Sequence, residues 1–219
     1  MKESLDIKFV SDVMCPWCVV GLGNLNKALE ELEDKVAVTL TFEPFELNPS
    51  MPPEGQNTKE HLIEKYGISE EQSRQNRTMI TERGKEVDFD FNFTDESRMR
   101  NSFDAHRLLH WAHTENKQAE LKAALFKTHF TDNQDISDVT ILTNLAAGIG
   151  LDEATAKTIL ESDQFSDEVR QQEKLWQQSG ITSVPTAIIN NKYAISGGQP
   201  VSTFKQAIEE IMKKEQTSE

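Results

Sequence analysis

All seven prolines of this 219-residue chain lie outside one long stretch: Pro16, Pro44, Pro49, Pro52 and Pro53 precede it, Pro185 and Pro200 follow it, and residues 54–184 contain none. Proline removes a backbone donor and clashes with the preceding turn, so a proline-free run dense in Ala, Leu, Glu, Gln and Lys is open to continuous helix. The sequence predicts about 120 residues of helices here, begun by capping residues and broken by glycine. Thr58, Ser69, Ser102, Ser137 and Asp152 are the expected starts, and Gly67, Gly84, Gly148-Ile149-Gly150 and Gly180 the expected stops. The flanks read differently. Ile7, Phe9 and Val13 recur at the strand period, a helix follows from Pro16 with Leu25, Ala28, Leu29 and Leu32 on one face, and Val36, Val38, Leu40 and Phe42 alternate as a second strand. Gly21 and Gly23 interrupt the early part of that helix, which implies close packing or a kink. Past Pro185, Ala187–Ile189 and Tyr193–Ile195 flank an Asn190-Asn191 turn, and a last helix opens at Pro200 with Phe204, Ala207, Ile208, Ile211 and Met212 on its face. The chain is thus an α/β protein of order β-α-β, helical block, β-β-α, with its core in residues 1–53 and 181–219 and an all-helical insertion over 54–180.

Lys plus Arg number 23 against 37 for Asp plus Glu, a net charge of −14, which opposes any surface built to neutralise phosphates. Nucleic acid is therefore not an expected partner. Charges at Lys2, Glu3, Asp6, Lys8 and Asp12 break up the apolar run that an export signal needs, and no stretch approaches the roughly 18 apolar residues of a membrane span. The expected setting is the cytoplasm, with no membrane partner. Thiols are kept reduced there, so a disulfide is expected to be transient and catalytic rather than structural.

The chain has two cysteines, Cys15 and Cys18, in Cys-Pro-Trp-Cys between the first strand and the first helix. Two cysteines placed at random in such a chain fall three apart roughly once in a hundred times, so the spacing carries information. A thiol at a helix start meets unpaired backbone N–H groups and the positive end of the macrodipole, which stabilise a thiolate; a second thiol one turn on can attack a mixed disulfide formed by the first. Two other arrangements fit the pair. It can be an inert buried pair, or half of a zinc site completed by His61, His106, His110, His113, His129 or carboxylates. The redox arrangement fits the strand-helix setting best, and no metal site is expected.

Several motifs together resemble one family. Cys15-Pro16-Trp17-Cys18, Pro44-Phe45-Glu46-Leu47-Asn48-Pro49, Asn101 through Leu108 in the insertion, and Gly180 through Pro185 are similar to the DsbA-type thioredoxin-fold proteins, and more narrowly to their FrnE-like cytoplasmic branch. The resemblance covers nearly the whole chain and implies a thioredoxin-like core interrupted by the helical insertion. It further implies a thiol-disulfide oxidoreductase with Cys15 as nucleophile, Cys18 as resolving thiol, and a cis Pro185 lying against the reactive cysteine. Val184 before it offers a backbone edge on which an extended substrate can pair. Pro16, Trp17, Val184, Phe45, Asn48, Asn101 and His106 are then the expected substrate-binding residues; for Phe45, Asn48, Asn101 and His106 a core or capping role is the alternative.

Partners implied by the resemblance are protein or small-molecule thiols and disulfides, with no tightly bound cofactor and with glutathione as a candidate co-substrate. Two other classes compete. One is a glutathione-dependent isomerase or transferase for a small aromatic molecule, although such relatives usually carry Ser where this chain has Cys15. The other is a redox-inactive chaperone or scaffold, which needs neither cysteine. Oligomeric state is not legible in the sequence.

Overall fold

The computed structural model describes residues 2–217. In chain order these form β1 (Glu3–Ser11), α1 (Pro16–Glu30), β2 (Val36–Pro44), β3 (Gln56–Asn57), α2 (Thr58–Tyr66), α3 (Glu70–Glu86), β4 (Arg98–Met99), α4 (Phe103–Thr114), α5 (Gln118–Phe130), α6 (Val139–Gly148), α7 (Glu153–Leu160), α8 (Ser166–Gln178), β5 (Thr186–Ile189), β6 (Tyr193–Ser196) and α9 (Val201–Gln216). The main sheet has the order β2-β1-β5-β6, with β2 parallel to β1 and the hairpin β5-β6 antiparallel. This is an α/β, thioredoxin-like sheet with its helices split before and after the insertion.

The period-two pattern of β1 explains its central place. Leu5, Ile7 and Phe9 point to one face and are buried with Leu25 and Ala28 of α1 and Phe204 and Ile208 of α9, while Val10 points to the other face and packs with Phe45, Trp176 of α8 and Ile188. Covered on both faces, β1 has the burial expected of a strand paired in parallel. The hairpin closes through Asn190 and Asn191, whose φ values of 52° and 54° are left-handed, and the Lys192 N–H reaches Ile189 O at 3.0 Å. Asparagine tolerates that conformation better than most residues.

β2 lies at the edge of the sheet, and α5 covers part of that edge. The Phe42 N–H donates to Gln118 Oε1 at 3.0 Å and Gln118 Nε2 donates to Phe42 O at 2.9 Å, so one buried side chain satisfies both backbone groups. Gln118→Leu should strand both and cost about 2 kcal/mol or more, measured by urea unfolding; a loss under about 0.5 kcal/mol would show that water reaches this edge.

The insertion departs from an all-helical segment in one detail, because β3 and β4 form a two-residue ladder across it. Arg98 and Arg100 pin that ladder by donating to the Glu54 carbonyl at 2.9–3.2 Å. The cores also cross the sequence division. Ile80, Phe91, Phe126 and Phe130 of the insertion pack with the sheet, and Val13 and Met14, expected as strand and turn, are buried with α4, α5, α6 and α7.

Helix starts shift where other oxygens, distant or neighbouring, engage the expected residue. The Thr58 N–H is taken by Ser97 O, so Asn57 caps α2, its Oδ1 accepting from Lys59 N and Glu60 N. Ser137 is engaged by Asp135, and Asp138 caps α6 instead. Ser69 closes a full capping box with Gln72, and Asp152 caps α7. Gly84 does not end a helix but lies within α3, where an added Cβ would fall 2.5 Å from the Phe91 ring.

Candidate active site

Cys15 is the N-cap of α1, in extended backbone with φ −98° and ψ 110°, directly before Pro16 at the first helical position. Its approach is fixed by Asp12, which is fully buried: Asp12 O accepts from Cys15 N at 3.1 Å, Oδ1 from Met14 N at 3.1 Å, and Oδ2 from Leu47 N at 2.7 Å. One carboxylate thereby ties the turn after β1 to the loop after β2. Burial works against its charge, but His106, with Nε2 at 3.5 Å, and those two amides hold the Asp12 carboxyl below the usual range.

The Val184–Pro185 peptide is cis, and Cys15 Sγ lies 3.8 Å from Val184 O. Gly21 makes this approach possible. A Cβ there would fall 2.8 Å from Pro185 Cγ and 3.2 Å from Gly198 Cα, so the helix interruption seen in the sequence is a packing requirement of the proline loop. On the far side, Gly197 N donates to Pro185 O at 2.8 Å and Asn24 Nδ2 to Gln199 O at 3.0 Å, which locks the loop onto α1.

Cys15 is 5% exposed and Cys18 is 0% exposed; both are free thiols. The Cys18 N–H donates to Cys15 O at 3.0 Å. Burial, and after it the adjoining Cys15 sulfur, push the Cys18 thiol well above its ordinary value. The two thiols are therefore unlike. Cys15 opens on a cleft of about 760 Å³ between the sheet domain and α2–α3, and Cys18 does not line it.

Pro16, Trp17, Asn48 and Val184 line this cleft with Cys15. Three of the expected binding residues, Phe45, Asn101 and His106, are not among its lining residues. Phe45 is buried with Val10, Trp176 and Ile188 on the opposite face of the sheet. Asn101 precedes Ser102, the N-cap of α4, its Oδ1 accepting from Phe103 N at 2.9 Å and its amide donating to Met51 O at 3.4 Å. His106 faces Asp12 and a separate small cavity. Each is engaged by its immediate surroundings, Phe45 by packing, Asn101 by the first amide of α4 and His106 by the Asp12 carboxylate.

Other lining groups carry no sequence signature of their own. Tyr66 and Met79 of the insertion are 57% and 42% exposed and overhang the cleft with Leu62 and Ile68. Burial, and after it the Cys15 sulfur, raise the Tyr66 hydroxyl above its ordinary value. His61 bridges Gln56 Oε1 at 2.6 Å and Asn48 Oδ1 at 3.0 Å, while Lys65 Nζ reaches Asn48 Oδ1 at 2.7 Å, so Asn48 both faces the cleft and ties down α2. The Tyr66-Gly67 end of α2, where Gly67 takes φ 64°, is the one local hint that could have drawn notice to this wall.

A second buried group was also missed. Lys122 of α5 is 1% exposed, its Nζ has no hydrogen-bond partner, and the Phe126 and Phe42 rings stand 5.0 and 5.9 Å away. Burial lowers its pKa to about 8, against attraction from Cys18, Asp12 and Cys15. A lysine whose folded pKa is depressed destabilises the fold fully below that value, and the cost is relieved as pH rises from about 8 toward the unfolded 10.5. Lys122→Met should accordingly stabilise the protein near neutral pH, by up to about 3 kcal/mol, with the gain shrinking above about pH 9. Urea unfolding at both pH values checks this; a variant destabilised at both contradicts it.

A family model for the DSBA-like thioredoxin domain matches residues 6–209. The uncharacterized protein YwbO of Bacillus subtilis (strain 168) is 30% identical over 216 residues, covering 96% of this chain and 99% of that protein. Among solved structures, a probable DsbA oxidoreductase from Streptomyces coelicolor is 30% identical with a TM-score of 0.89, covering 94% of this chain and 89% of the other. The cytosolic disulfide reductase DsbM from Pseudomonas aeruginosa, solved with GSH, shares the fold at 14% identity and a TM-score of 0.63, over 95% of this chain and 99% of that one. Since the family model and two relatives at 30% identity each span nearly the whole sequence, sheet and insertion alike, this chain belongs to the DsbA-like thioredoxin-domain family.

Proposed function

We propose that the protein is a thiol-disulfide oxidoreductase of the cytoplasm in which Cys15 attacks the substrate and Cys18 resolves the mixed disulfide. The observation that carries this is the asymmetry of the pair: Cys15 sits at a helix start on the cleft, 3.8 Å from Val184 O, while Cys18 lies behind it with no exposure. A substrate disulfide entering the cleft meets one sulfur, and the second is held one turn away for the intramolecular step. The carbonyl of Val184 and the Pro16-Trp17 surface border the attacking atom, so an extended thiol or disulfide can lie along this edge. The reading needs no tightly bound cofactor. Glutathione is our proposed co-substrate, supported by the GSH in the similar Pseudomonas aeruginosa reductase.

The test is to mix the reduced protein with glutathione disulfide or a disulfide-bonded peptide and follow thiol loss by alkylation and mass. Formation of a Cys15–Cys18 disulfide with release of reduced substrate is expected. If both cysteines stay alkylatable while a small aromatic substrate is isomerised with glutathione present, the isomerase class replaces this reading.

A further inference from the structure

We propose that the part of the cleft built by α3 and the β4 segment is a subsite for anionic groups, and that the substrate reaching Cys15 is a small disulfide with an apolar body and carboxylate ends. The inference rests on the oxidoreductase reading and deepens it by naming the class of molecule that the cleft selects.

The chain as a whole carries a net charge of −14, so its mean field repels anions. The cleft reverses that sign. Three arginines line it, Arg77 of α3 with Arg98 and Arg100 of the β4 segment, against one carboxylate, Glu96. How far each guanidinium is already neutralised decides what is left for a ligand. Arg100 is paired with Asp135 at 2.8 Å. Arg77 meets Asp95 at 3.4 Å, but that carboxylate is 85% exposed and screened by water, a loose pair that a ligand carboxylate can replace. Arg98 donates to the backbone oxygens of Glu54 and Gly55 at 3.1–3.2 Å, and among the described residues no carboxylate pairs with it. Carbonyl oxygens satisfy its hydrogen bonds and leave its charge uncompensated.

α3 adds an independent observation. Ser73, one turn before Arg77 on the same helical face, lines the cleft at 2% exposure, and its hydroxyl has no hydrogen-bond partner among the described residues. A buried hydroxyl is costly to leave unpaired, and a ligand oxygen over this face accepts its proton while facing the Arg77 charge. The rest of the wall sets the body of the molecule. Tyr66 and Met79 are exposed at the cleft, and Trp17 borders the thiol. Apolar walls with a few converging polar donors, around a volume of about 760 Å³, form a site for a small molecule. An extended protein chain is held chiefly by backbone pairing along the Val184 edge and does not call for guanidiniums on the α3 wall.

The exchange balances in the usual way. Cys15–SH and Cys18–SH react with one RS–SR to give Cys15–S–S–Cys18 and two RSH, the substrate gaining the two electrons that the dithiol loses.

The test mixes reduced protein in stopped flow with dithiobis(nitrobenzoate), a diaryl disulfide with two carboxylates, or with the same disulfide bearing two primary amides instead. The ratio of the two capture rates is compared between about 0.01 M and 1 M salt, where charges are felt over about 30 and 3 Å, so that intrinsic reactivity cancels. The dianion-to-amide ratio should be about fivefold or more higher at low salt. The sign is decisive, since a chain of charge −14 without a cationic subsite disfavours the dianion most at low salt. A ratio that is flat or rises with salt overturns the proposal. Arg77→Gln should lower the low-salt ratio about threefold, while Arg83→Gln, which removes the same charge from α3 outside the cleft, should leave it within about 1.5-fold. An unchanged ratio in Arg77→Gln, or an equal loss in both variants, overturns the subsite. Should Arg77→Gln fail to fold, the salt series on the parent decides. A disulfide-linked dimer of an acidic peptide and its amidated form are run alongside, and a larger salt-sensitive preference there assigns the cleft to protein chains and overturns the small-molecule class. If neither diaryl probe releases thiol with the parent, the oxidoreductase reading itself fails.

Discussion

Replacing Cys15 with serine is expected to remove disulfide reduction almost completely, by roughly three orders of magnitude or more, because among the described residues no other thiol lines the cleft. Cys18→Ser should lose turnover to a similar degree yet keep capture, accumulating the Cys15 adduct. The difference follows from position. Cys15 caps α1 at the cleft wall beside Val184 O, whereas Cys18 is sealed behind it and attacks the Cys15 sulfur only once that sulfur is bonded to substrate. Insulin reduction gives the loss of turnover, and non-reducing gels with mass analysis give the trapped adduct. Turnover retained by Cys15→Ser, or capture lost in Cys18→Ser, would falsify the division of roles.

The second large effect is expected at Gly21, a residue that touches no substrate. An added Cβ meets the Pro185 ring at 2.8 Å and the Gly198 backbone at 3.2 Å, and neither a proline ring nor a backbone atom swings aside as a long side chain would. Helix propensity favours Gly→Ala by roughly 1 kcal/mol, so Gly21→Ala sets that gain against overpacking of about 1–3 kcal/mol. Valine adds two more carbons with poor helix propensity and has no such compensation. Gly21→Val should therefore destabilise the protein by about 3 kcal/mol and push the Val184 edge away from Cys15, lowering disulfide reduction about tenfold or more in the fraction that stays folded. Gly148→Ala is the control: a Cβ there meets nothing within 4 Å, and the same change should be neutral or stabilising. Urea melts with activity assays on both variants check this; a Gly21→Val protein as stable and active as the parent means that the proline loop can retreat without consequence.

These two sites also separate what is local from what is not. Strand and helix periods are set by neighbours two, three or four residues apart, so Leu5, Ile7 and Phe9 already mark the inner face of β1, and Phe204, Ile208 and Ile211 the buried face of α9. The Asn190-Asn191 turn and the placing of Cys15 at the head of α1 are local for the same reason: each depends on the conformational freedom or missing donor of one or two residues. Even the peculiarity of Gly21 is visible as a glycine where a helix does not want one.

What meets what is decided elsewhere. Cys15 and Val184 are 169 positions apart, and only the pairing of β5 against β1 brings the proline loop over the start of α1. The same packing sends Phe45 to the far face of the sheet and turns the Asn101 side chain to the first amide of α4, although both stand in motifs that resemble the site's surroundings. Caps move by one residue at α2 and α6 because distant or neighbouring oxygens claim the expected groups first. Lys122 is the clearest case. In sequence it is one of many charges on a helix, in a chain of net charge −14, and a lysine is most often a solvated one. Its burial follows from Gln118 clamping α5 to the open edge of β2, a contact across 76 residues that no local period encodes. The sequence by itself determined the elements, their order and the paired thiols, since these rest on short-range sterics and hydrogen bonding; the tertiary structure alone decided which face of each element meets the thiols, because that depends on how separate apolar surfaces pack together.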